Sequence, residues 1–244
     1  MRRFYLPAKC MPANELGRFS LQGQQARHIV QVLRLRQGDQ VEFFDGSGRV
    51  LRASLHEVGH AQVTAELIET WVEEVPAHPP LFLAQALLKG KKMDLLVQKA
   101  TELGVRQFIP VISRYCEARS TRDSALERWQ RIGIEACKQC KRPIPMQIAE
   151  PIATDLLDFS PFAHKLLAWE EEKEQPLPTN FLQENPGPIC LFLGPEGGLH
   201  TDEVDLLRMQ GFLSFSLGRK VLRAETAALA AISIVQYLSG ALRP

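Results

Sequence analysis

One segment of the chain, Ile189–Leu199, reads ICLFLGPEGGL. Its first five residues are apolar without a break, which is typical of a strand covered on both faces of a sheet. The loop that follows holds three glycines and a proline but neither a Walker A nor a Gly-x-Gly-x-x-Gly pattern. Ligands of open α/β sheets bind beyond the carboxyl ends of strands, and glycine lets the backbone approach them. The segment therefore predicts a ligand site, although a tight strand-to-helix turn would look the same.

A second loop of this kind occupies Leu217–Ala227 and is called here the C-terminal loop. It follows an apolar stretch, contains Gly218, and leads into a helix that starts near Arg223 and Glu225. An acid in the first turn of a helix is favoured by the helix dipole alone, so a purely structural role for Glu225 stays open.

The residues around these loops alternate between strand and helix patterns from Leu81 onward. Such alternation is typical of an α/β domain with a mainly parallel sheet. The last helix is apolar almost all round and is predicted to be buried. The helix that begins at Ser124 carries a capping-box pattern with Glu127. The predicted strands are Leu81–Leu87, Val105–Ile112, Lys165–Trp169, Ile189–Leu193 and Phe212–Leu217, and the predicted helices are Lys91–Leu103, Ser124–Cys140, Thr201–Gln210 and Ala227–Leu238.

The first part of the chain has a different pattern. A helix is predicted at Gln24–Leu33, and Gln40–Phe44, Val50–Leu55 and Val63–Trp71 are predicted strands. Residues 73–80 hold three prolines, which cannot continue a helix or a central strand. We interpret them as a linker between a domain at residues 1–72 and a domain at residues 81–244. A loop within one domain is the alternative.

Composition excludes several classes of protein. The 244 residues are 45% hydrophobic and 23% charged, and the net charge is +1, so the chain is not a polycation. No stretch reaches the roughly 18 consecutive apolar residues of a spanning helix, and the start of the chain lacks a signal-peptide pattern. Five scattered cysteines fit a reducing compartment. A cytoplasmic protein without a membrane segment is predicted.

Several ordered motifs resemble one known family. The two loops look like the C-terminal motifs of the SPOUT, or α/β-knot, methyltransferases, and the whole chain resembles the RsmE family of 16S ribosomal RNA uridine N3-methyltransferases. Lys138 and Lys141 depart from the acid and the glycine common there, which makes the surface more basic. The other matching segments are Arg27–Arg34 with Gly38 and Asp39, Lys89 with Gln98–Val105, and Arg128, Trp129, Glu135–Cys137, Gln139 and Cys140.

The resemblance implies a fold, a cofactor and a substrate. The fold is a C-terminal SPOUT trefoil-knot domain with a mainly parallel sheet, preceded by a PUA-like β-barrel that binds RNA, in a homodimer. The reaction is methylation of N3 of a specific uridine in 16S ribosomal RNA within the small subunit. S-adenosylmethionine would lie bent among three loops. The residues carried over as cofactor contacts are Leu167, Trp169, Leu193, Gly194, Pro195, Glu196, Gly197, Gly198, Leu217, Gly218, Val221, Leu222 and Thr226.

The chemistry of uracil suggests roles for three residues. N3 carries a proton that must leave before the base attacks the methyl group, and a nearby cation stabilises the charge that develops. Arg223 is the candidate cation, and Glu196 or Glu225 is the candidate proton acceptor or partner of Arg223. Runs of charged residues usually form solvated faces of a protein. Because the chain resembles a family that acts on RNA, its basic residues are interpreted as candidate RNA contacts. These are Arg27, His28, Arg34, Arg36, Lys89, Lys91, Lys92, Lys138 and Arg142.

Other interpretations stay open. The chain would otherwise be a SPOUT methyltransferase that acts on another nucleotide, or a non-catalytic RNA-binding protein of ribosome assembly. Cys137 and Cys140 have a metal-like spacing, but no second pair exists and both lie on a predicted helix, so no metal is predicted. His200 directly follows the loop that ends at Leu199 and would be either solvated or turned toward the site.

Overall fold

The computed structural model describes residues 1–12, 17–59, 62–73, 78–117, 123–180 and 186–243. The chain divides into two compact units, one of Met1–Val75 with Cys137–Pro145 and one of Pro76–Ala136 with Met146–Pro244. The sequence assigned every residue from Leu81 onward to the second domain, so the placement of Cys137–Pro145 differs from that division. Half of the predicted linker, residues 74–77, lies outside the described residues.

The first unit is built on a five-stranded sheet in the order β1-β3-β4-β5-β2. β1 runs parallel to β3 and the other pairs are antiparallel. The predicted helix is a short α-helix followed by one π-helical turn at His28–Val32. The first two strands were missed by the sequence patterns. The elements are β1 (Arg2–Tyr5), β2 (Arg18–Gln22), α1 (Gly23–Arg27), β3 (Gln40–Phe44), β4 (Arg49–Val58) and β5 (Gln62–Val72).

The strand β3 is covered on both faces. Phe43 packs into the main core of this unit, whereas Phe44 packs with Val50 and Cys137 in a separate small cluster. Buried Arg3 adds polar contacts, since it pairs with Glu42 at 3.1 Å and donates to the carbonyl oxygen of Lys141. A buried cation is stable only when its donors are satisfied. These contacts explain why Cys137–Pro145 belongs with the first unit.

The second unit is a parallel sheet with helices between its strands. The strand order is β12-β10-β11-β6-β7-β8, with β9 also paired to β7, and every pairing is parallel. The predicted α/β class is confirmed. The elements are β6 (Leu81–Ala86), α2 (Lys92–Glu102), β7 (Gln107–Ile112), α3 (Asp123–Cys140), β8 (Gln147–Ile148), β9 (Ile152–Ala153), β10 (His164–Ala168), β11 (Ile189–Leu193), α4 (Thr201–Met209), β12 (Leu213–Phe215) and α5 (Ala224–Leu238).

The central strand β11 is buried on both sides, as its unbroken apolar run predicts. Leu191 packs into a core that contains residues of α2 and α5. Phe192, which points the other way, packs with Val204 and Leu207 of α4. Because neighbouring side chains of a strand face opposite sides, one short segment joins both layers of the unit.

Three details of the helices bear on the sequence patterns. The helix α5 buries one side within the single chain and leaves Ile234 and Tyr237 exposed, so burial of its other side stays a prediction. The helix α3 begins at Asp123, so Ser124 lies inside its first turn instead of capping it. His200 caps α4 in a capping box with Glu203, a role the sequence did not suggest because histidine is an unusual cap.

Candidate active site

A cavity of about 810 Å³ lies where β10, β11 and β12 end. Ala168 pairs with Leu193 on one side and with Phe215 on the other, so the three strands stop at the same level of the sheet. The loops that leave these strand ends enclose the cavity, in the position where parallel sheets bind ligands.

Most of the predicted cofactor residues line this cavity. They are Trp169, Leu193, Gly194, Pro195, Glu196, Gly197, Gly198, Leu217, Gly218, Val221 and Leu222, together with Arg223. Leu167 does not, because it is fully buried within β10, and Thr226 is exposed on the first turn of α5. Glu225 also stays outside the lining. The lining residues not predicted for the cavity include Lys92, Glu170, Glu172, Lys173, Ser216, Arg219 and Lys220.

The segment Gly194–Leu199, called here the glycine loop, is fixed by its backbone. The amide of buried Gln85 donates to the carbonyl oxygen of Gly194 at 3.0 Å, which ties the loop to β6. Gly198 has φ +76°, and a Cβ there would fall on the carboxylate of Glu170. The left-handed backbone angle favours glycine, and any side chain there would require the exposed carboxylate of Glu170 to move.

Lys92 joins three separate parts of the chain. Its Nζ lies 2.9 Å from Glu196 Oε1 in the glycine loop and 3.6 Å from Glu225 Oε2 at the start of α5. The backbone N–H of Lys89 also donates to Glu196 Oε1, at 3.1 Å. We call Lys92, Glu196 and Glu225 the Lys92 cluster. It holds the glycine loop and the first turn of α5 against the start of α2.

The charges of this cluster shift the pKa values of two of its members. The hydrogen bond to Glu196 raises the pKa of Lys92 above its ordinary value, and the two carboxylates outweigh the opposing effect of desolvation. Burial acts to raise the pKa of Glu196, but the hydrogen bonds that it accepts, first from Lys92, outweigh burial and lower it. A carboxylate with a lowered pKa is a weak base, so Glu196 is better suited to anchoring its loop than to accepting a proton.

Arg223 stands at the rim of the cavity with its guanidinium unpaired. It is the N-cap residue of α5, where its carbonyl oxygen accepts from the N–H of Ala227 at 2.8 Å. Among the described residues no side chain forms a hydrogen bond or an ion pair with it. The expected partners, Glu196 and Glu225, are instead bound to Lys92. Arg223 therefore offers an exposed positive charge to whatever occupies the cavity.

The loop after β10 is held by a separate polar cluster. The guanidinium of Arg208 lies 5.0 Å from the ring centre of Trp169. Ser214 donates to Glu172 at 2.7 Å, and this hydrogen bond is the main cause of the lowered pKa of Glu172. Within the described part of the chain, Trp169 Nε1 is buried without a hydrogen-bond partner, and the exposed Glu170 also lines the cavity. An unused polar group beside a cavity favours a polar ligand.

The candidate RNA contacts divide by accessibility. In the first unit Arg27, His28, Arg34 and Arg36 are exposed. In the second unit Lys91 is exposed, but Lys89 pairs with Glu117 and Lys92 with its two carboxylates. Lys138 is half-buried, and Arg142 Nε donates to the carbonyl oxygen of Ile144 at 2.7 Å. The exposed Arg27, His28, Arg34, Arg36 and Lys91 are thus best placed to meet phosphate, unlike the half-buried Lys138 and Arg142 of the first unit.

The described ranges lack two further features. There, no cluster of three or more His, Cys, Asp and Glu side chains is arranged to hold a metal ion. In the same ranges no helix has the length and apolarity needed to cross a membrane.

A parallel sheet with a ligand-sized cavity at its strand ends, in a chain that also carries a small β-rich unit with exposed cations, fits the class of RNA-modifying enzymes. Residues 76–236 match the family described as RNA methyltransferase domain, and residues 21–68 match the RNA methyltransferase PUA domain. The chain belongs to the ribosomal RNA small subunit methyltransferase E family. This confirms the family and the enzyme class that the sequence predicted.

Individual relatives agree over nearly the whole chain. The Bacillus subtilis ribosomal RNA small subunit methyltransferase E is 31% identical over 100% of this chain and 99% of its own length. The Synechocystis enzyme of the same name is 34% identical over 88% of this chain and 71% of its own. The Neisseria gonorrhoeae enzyme, solved bound to S-adenosylmethionine, is 32% identical over 98% of both chains with a TM-score of 0.82. A Legionella pneumophila structure with the same cofactor is 30% identical over 96% of both chains with a TM-score of 0.84.

Proposed function

We propose that this protein transfers a methyl group from S-adenosylmethionine to N3 of a specific uridine in 16S ribosomal RNA. The observation that carries the proposal is the cavity formed by the three strand-end loops. The curated relatives are named for methylation of small-subunit ribosomal RNA, and the Neisseria gonorrhoeae enzyme binds S-adenosylmethionine. The choice of uridine N3 rests on the family resemblance of the sequence motifs.

The cavity fits the cofactor in size and chemistry. Its volume of about 810 Å³ falls in the usual range of small-ligand pockets, roughly 300–1,000 Å³. The glycine loop and the C-terminal loop supply backbone groups, Trp169 supplies an unpaired N–H, and Glu170 supplies a carboxylate. When bound, S-adenosylmethionine supplies a methyl group on a positively charged sulfur, so the protein needs chiefly to position the acceptor base.

The remaining chemistry concerns the proton on N3. Arg223 is proposed to stabilise the negative charge that develops on uracil, because its guanidinium lines the cavity and is not neutralised by a carboxylate. Both candidate proton acceptors are paired with Lys92, and Glu225 is favoured because its Oε2 lies 3.6 Å from Lys92 Nζ, whereas Glu196 Oε1 lies at 2.9 Å. Glu196 is held as a weak base by Lys92.

The RNA is proposed to bind the domain at residues 1–72, while the domain at residues 81–244, with a trefoil knot at its C-terminal end, binds the cofactor. The exposed cations Arg27, Arg34 and Arg36 support the first assignment. The substrate would be 16S ribosomal RNA within the small subunit, and the protein would act in the cytoplasm. The match to an RNA methyltransferase PUA domain supports RNA binding by the first unit.

A homodimer is proposed, with α5 in its interface. Ile234 and Tyr237 of this helix and the nearby Leu242 are exposed, and a helix this apolar gains stability when its free side is covered. Sedimentation velocity should show a dimer at micromolar concentration, and Ile234→Glu should shift it toward monomer. A wild-type monomer at that concentration would contradict the proposal.

The function is tested by mapping methylation of small-subunit RNA in a strain that lacks this chain. One N3-methyluridine should disappear and return with the wild-type chain but not with Arg223→Ala. Mass spectrometry of nucleosides separates N3-methyluridine from ribose 2′-O-methylation, the product expected of a related enzyme with another target. Absence of S-adenosylmethionine binding in isothermal titration would favour a non-catalytic assembly protein.

A further inference from the structure

We infer that Tyr115, with His200 at its edge, forms a stacking site for an RNA base next to the methylated nucleotide. We call these two residues the Tyr115 platform. The inference rests on the proposed function, because it requires that the substrate be RNA and that the target base leave its stack.

The turn that carries Tyr115 is held rigidly. It follows the carboxyl end of β7, on the same edge of the sheet as the cavity. The N–H of Cys116 donates to the carbonyl oxygen of Ser113 at 3.1 Å, and the N–H of Arg114 donates to Glu203 Oε1 at 3.0 Å. Cys116 is buried and anchors the turn in the core. The position of the tyrosine Cα is therefore fixed before any ligand arrives.

The ring of Tyr115 stands directly beside the glycine loop. A Cβ on Gly197 would come within 3.2 Å of Tyr115 Cβ, so the absence of a side chain there lets the two segments touch. His200 lies edge-on to the tyrosine ring, with centroids 5.8 Å apart and an interplanar angle of 62°. His200 Nδ1 accepts the N–H of Asp202, which fixes the imidazole as well.

The exposure of Tyr115 argues against a role in packing alone. A ring that only props a loop would be covered, as neighbouring Cys116 and Leu199 are, yet Tyr115 is 47% exposed. Exposed aromatic rings on rigid supports are the usual platforms for unpaired RNA bases, because every base has a face that stacks. Extruding a uridine into the cavity leaves its neighbour without a stacking partner, and the Tyr115 platform lies beside Gly197 of the cavity wall.

The test compares Tyr115→Ala, Tyr115→Phe and, as a control for loss of an exposed apolar side chain elsewhere, Leu156→Ala. Tyr115→Ala should weaken binding of a small-subunit RNA fragment by roughly 5- to 100-fold. Tyr115→Phe should bind almost as the wild type does, since stacking needs the ring and not the hydroxyl. In an RNA fragment with 2-aminopurine beside the target uridine, binding of the wild type or of Tyr115→Phe should quench the 2-aminopurine fluorescence. Binding of Tyr115→Ala should not quench it. Cofactor affinity should stay unchanged in both.

Three outcomes would overturn the inference. Unchanged RNA affinity and quenching in Tyr115→Ala would show that no base stacks there. Weaker S-adenosylmethionine binding without an RNA effect would make Tyr115 a prop for the glycine loop. Conversion of a dimer to a monomer would make the ring a contact with a second copy. If the wild type neither binds nor methylates the RNA, both the proposed function and this inference are wrong. If Tyr115→Ala methylates the RNA normally, only the stacking inference is wrong.

Discussion

Lys92 acquires its role from residues far away in the chain. Its position in a basic run suggested an RNA contact, but its ammonium is bound by Glu196 and Glu225. Replacing it by methionine would leave two carboxylates without their common cation and loosen the glycine loop. Lys92→Met should weaken S-adenosylmethionine binding by roughly 2- to 5-fold, the size expected of a partly exposed ion pair. Lys91→Met, in the exposed neighbouring residue, is the control and should have no effect in titration calorimetry.

The same cluster predicts a dependence of stability on pH. The pKa of Glu196 is lowered from 4.5, so its contribution is complete above that value and disappears as pH falls through the folded-state pKa. The pKa of Lys92 is raised from 10.5, so its contribution is complete below that value and disappears as pH rises through the folded-state pKa. The difference in unfolding free energy between wild type and Lys92→Met should thus be constant between these limits. A steady slope across neutral pH in denaturant titrations would contradict this.

Arg223 is the residue on which the proposed chemistry depends most. Arg223→Ala should bind S-adenosylmethionine almost normally but slow single-turnover methylation by about 10²- to 10³-fold, the usual effect of removing one preorganised charge. Its pH–rate profile should move to higher pH, because the protein no longer helps N3 to lose its proton. Arg219→Ala, at another cation of the cavity wall, is the control. Parallel losses of cofactor affinity and thermal stability would instead make Arg223 an organiser of the loop.

At the scale of elements, the conformation of the glycine loop depends on the neighbouring side chain of Glu170 as well as on its own backbone. Gly198→Ala would strain φ +76° and also place Cβ on the Glu170 carboxylate, so cofactor binding should fall sharply. Gly211→Ala strains a similar angle, φ +86°, with nothing within 4 Å, and should cost stability without loss of binding. The double variant with Glu170→Ala and Gly198→Ala separates the backbone strain from the clash with the carboxylate. Equal binding losses in both glycine variants would show that strain alone is responsible.

For the whole molecule, a net charge of +1 requires that RNA be attracted by a local surface. The exposed Arg27 and Arg34 of the first unit are the candidates. Reversing both to glutamate should weaken RNA binding and make its salt dependence shallower, by about 0.7 in the log–log slope for each lost contact to single-stranded RNA. S-adenosylmethionine affinity should not change. Arg18→Glu, in an exposed arginine of the same unit, is the control, and an unchanged salt slope in the double variant would exclude phosphate contacts there.

Local patterns in the sequence were enough for the elements that carry the site. The bounds of β11 and of β3 agree with those predicted from the sequence, and α2 buries the predicted stripe that includes Met93, Leu96 and Val97. These patterns work because a side chain's burial is repeated at the period of its own helix or strand. The positions of the two loops follow for the same reason, since each begins where an apolar run ends.

Contacts between distant segments were decided only by the tertiary structure. No spacing in the sequence brings Lys92 to Glu196 and Glu225, places Cys137–Pro145 with the first unit, or sets Tyr115 against Gly197. Likewise, local sequence patterns do not predict the strand order β12-β10-β11-β6-β7-β8. Periodicity reports which face of an element is buried but not which partner covers it. The partner is selected by packing and charge pairing over the whole chain, and these appear only when the sheet is assembled.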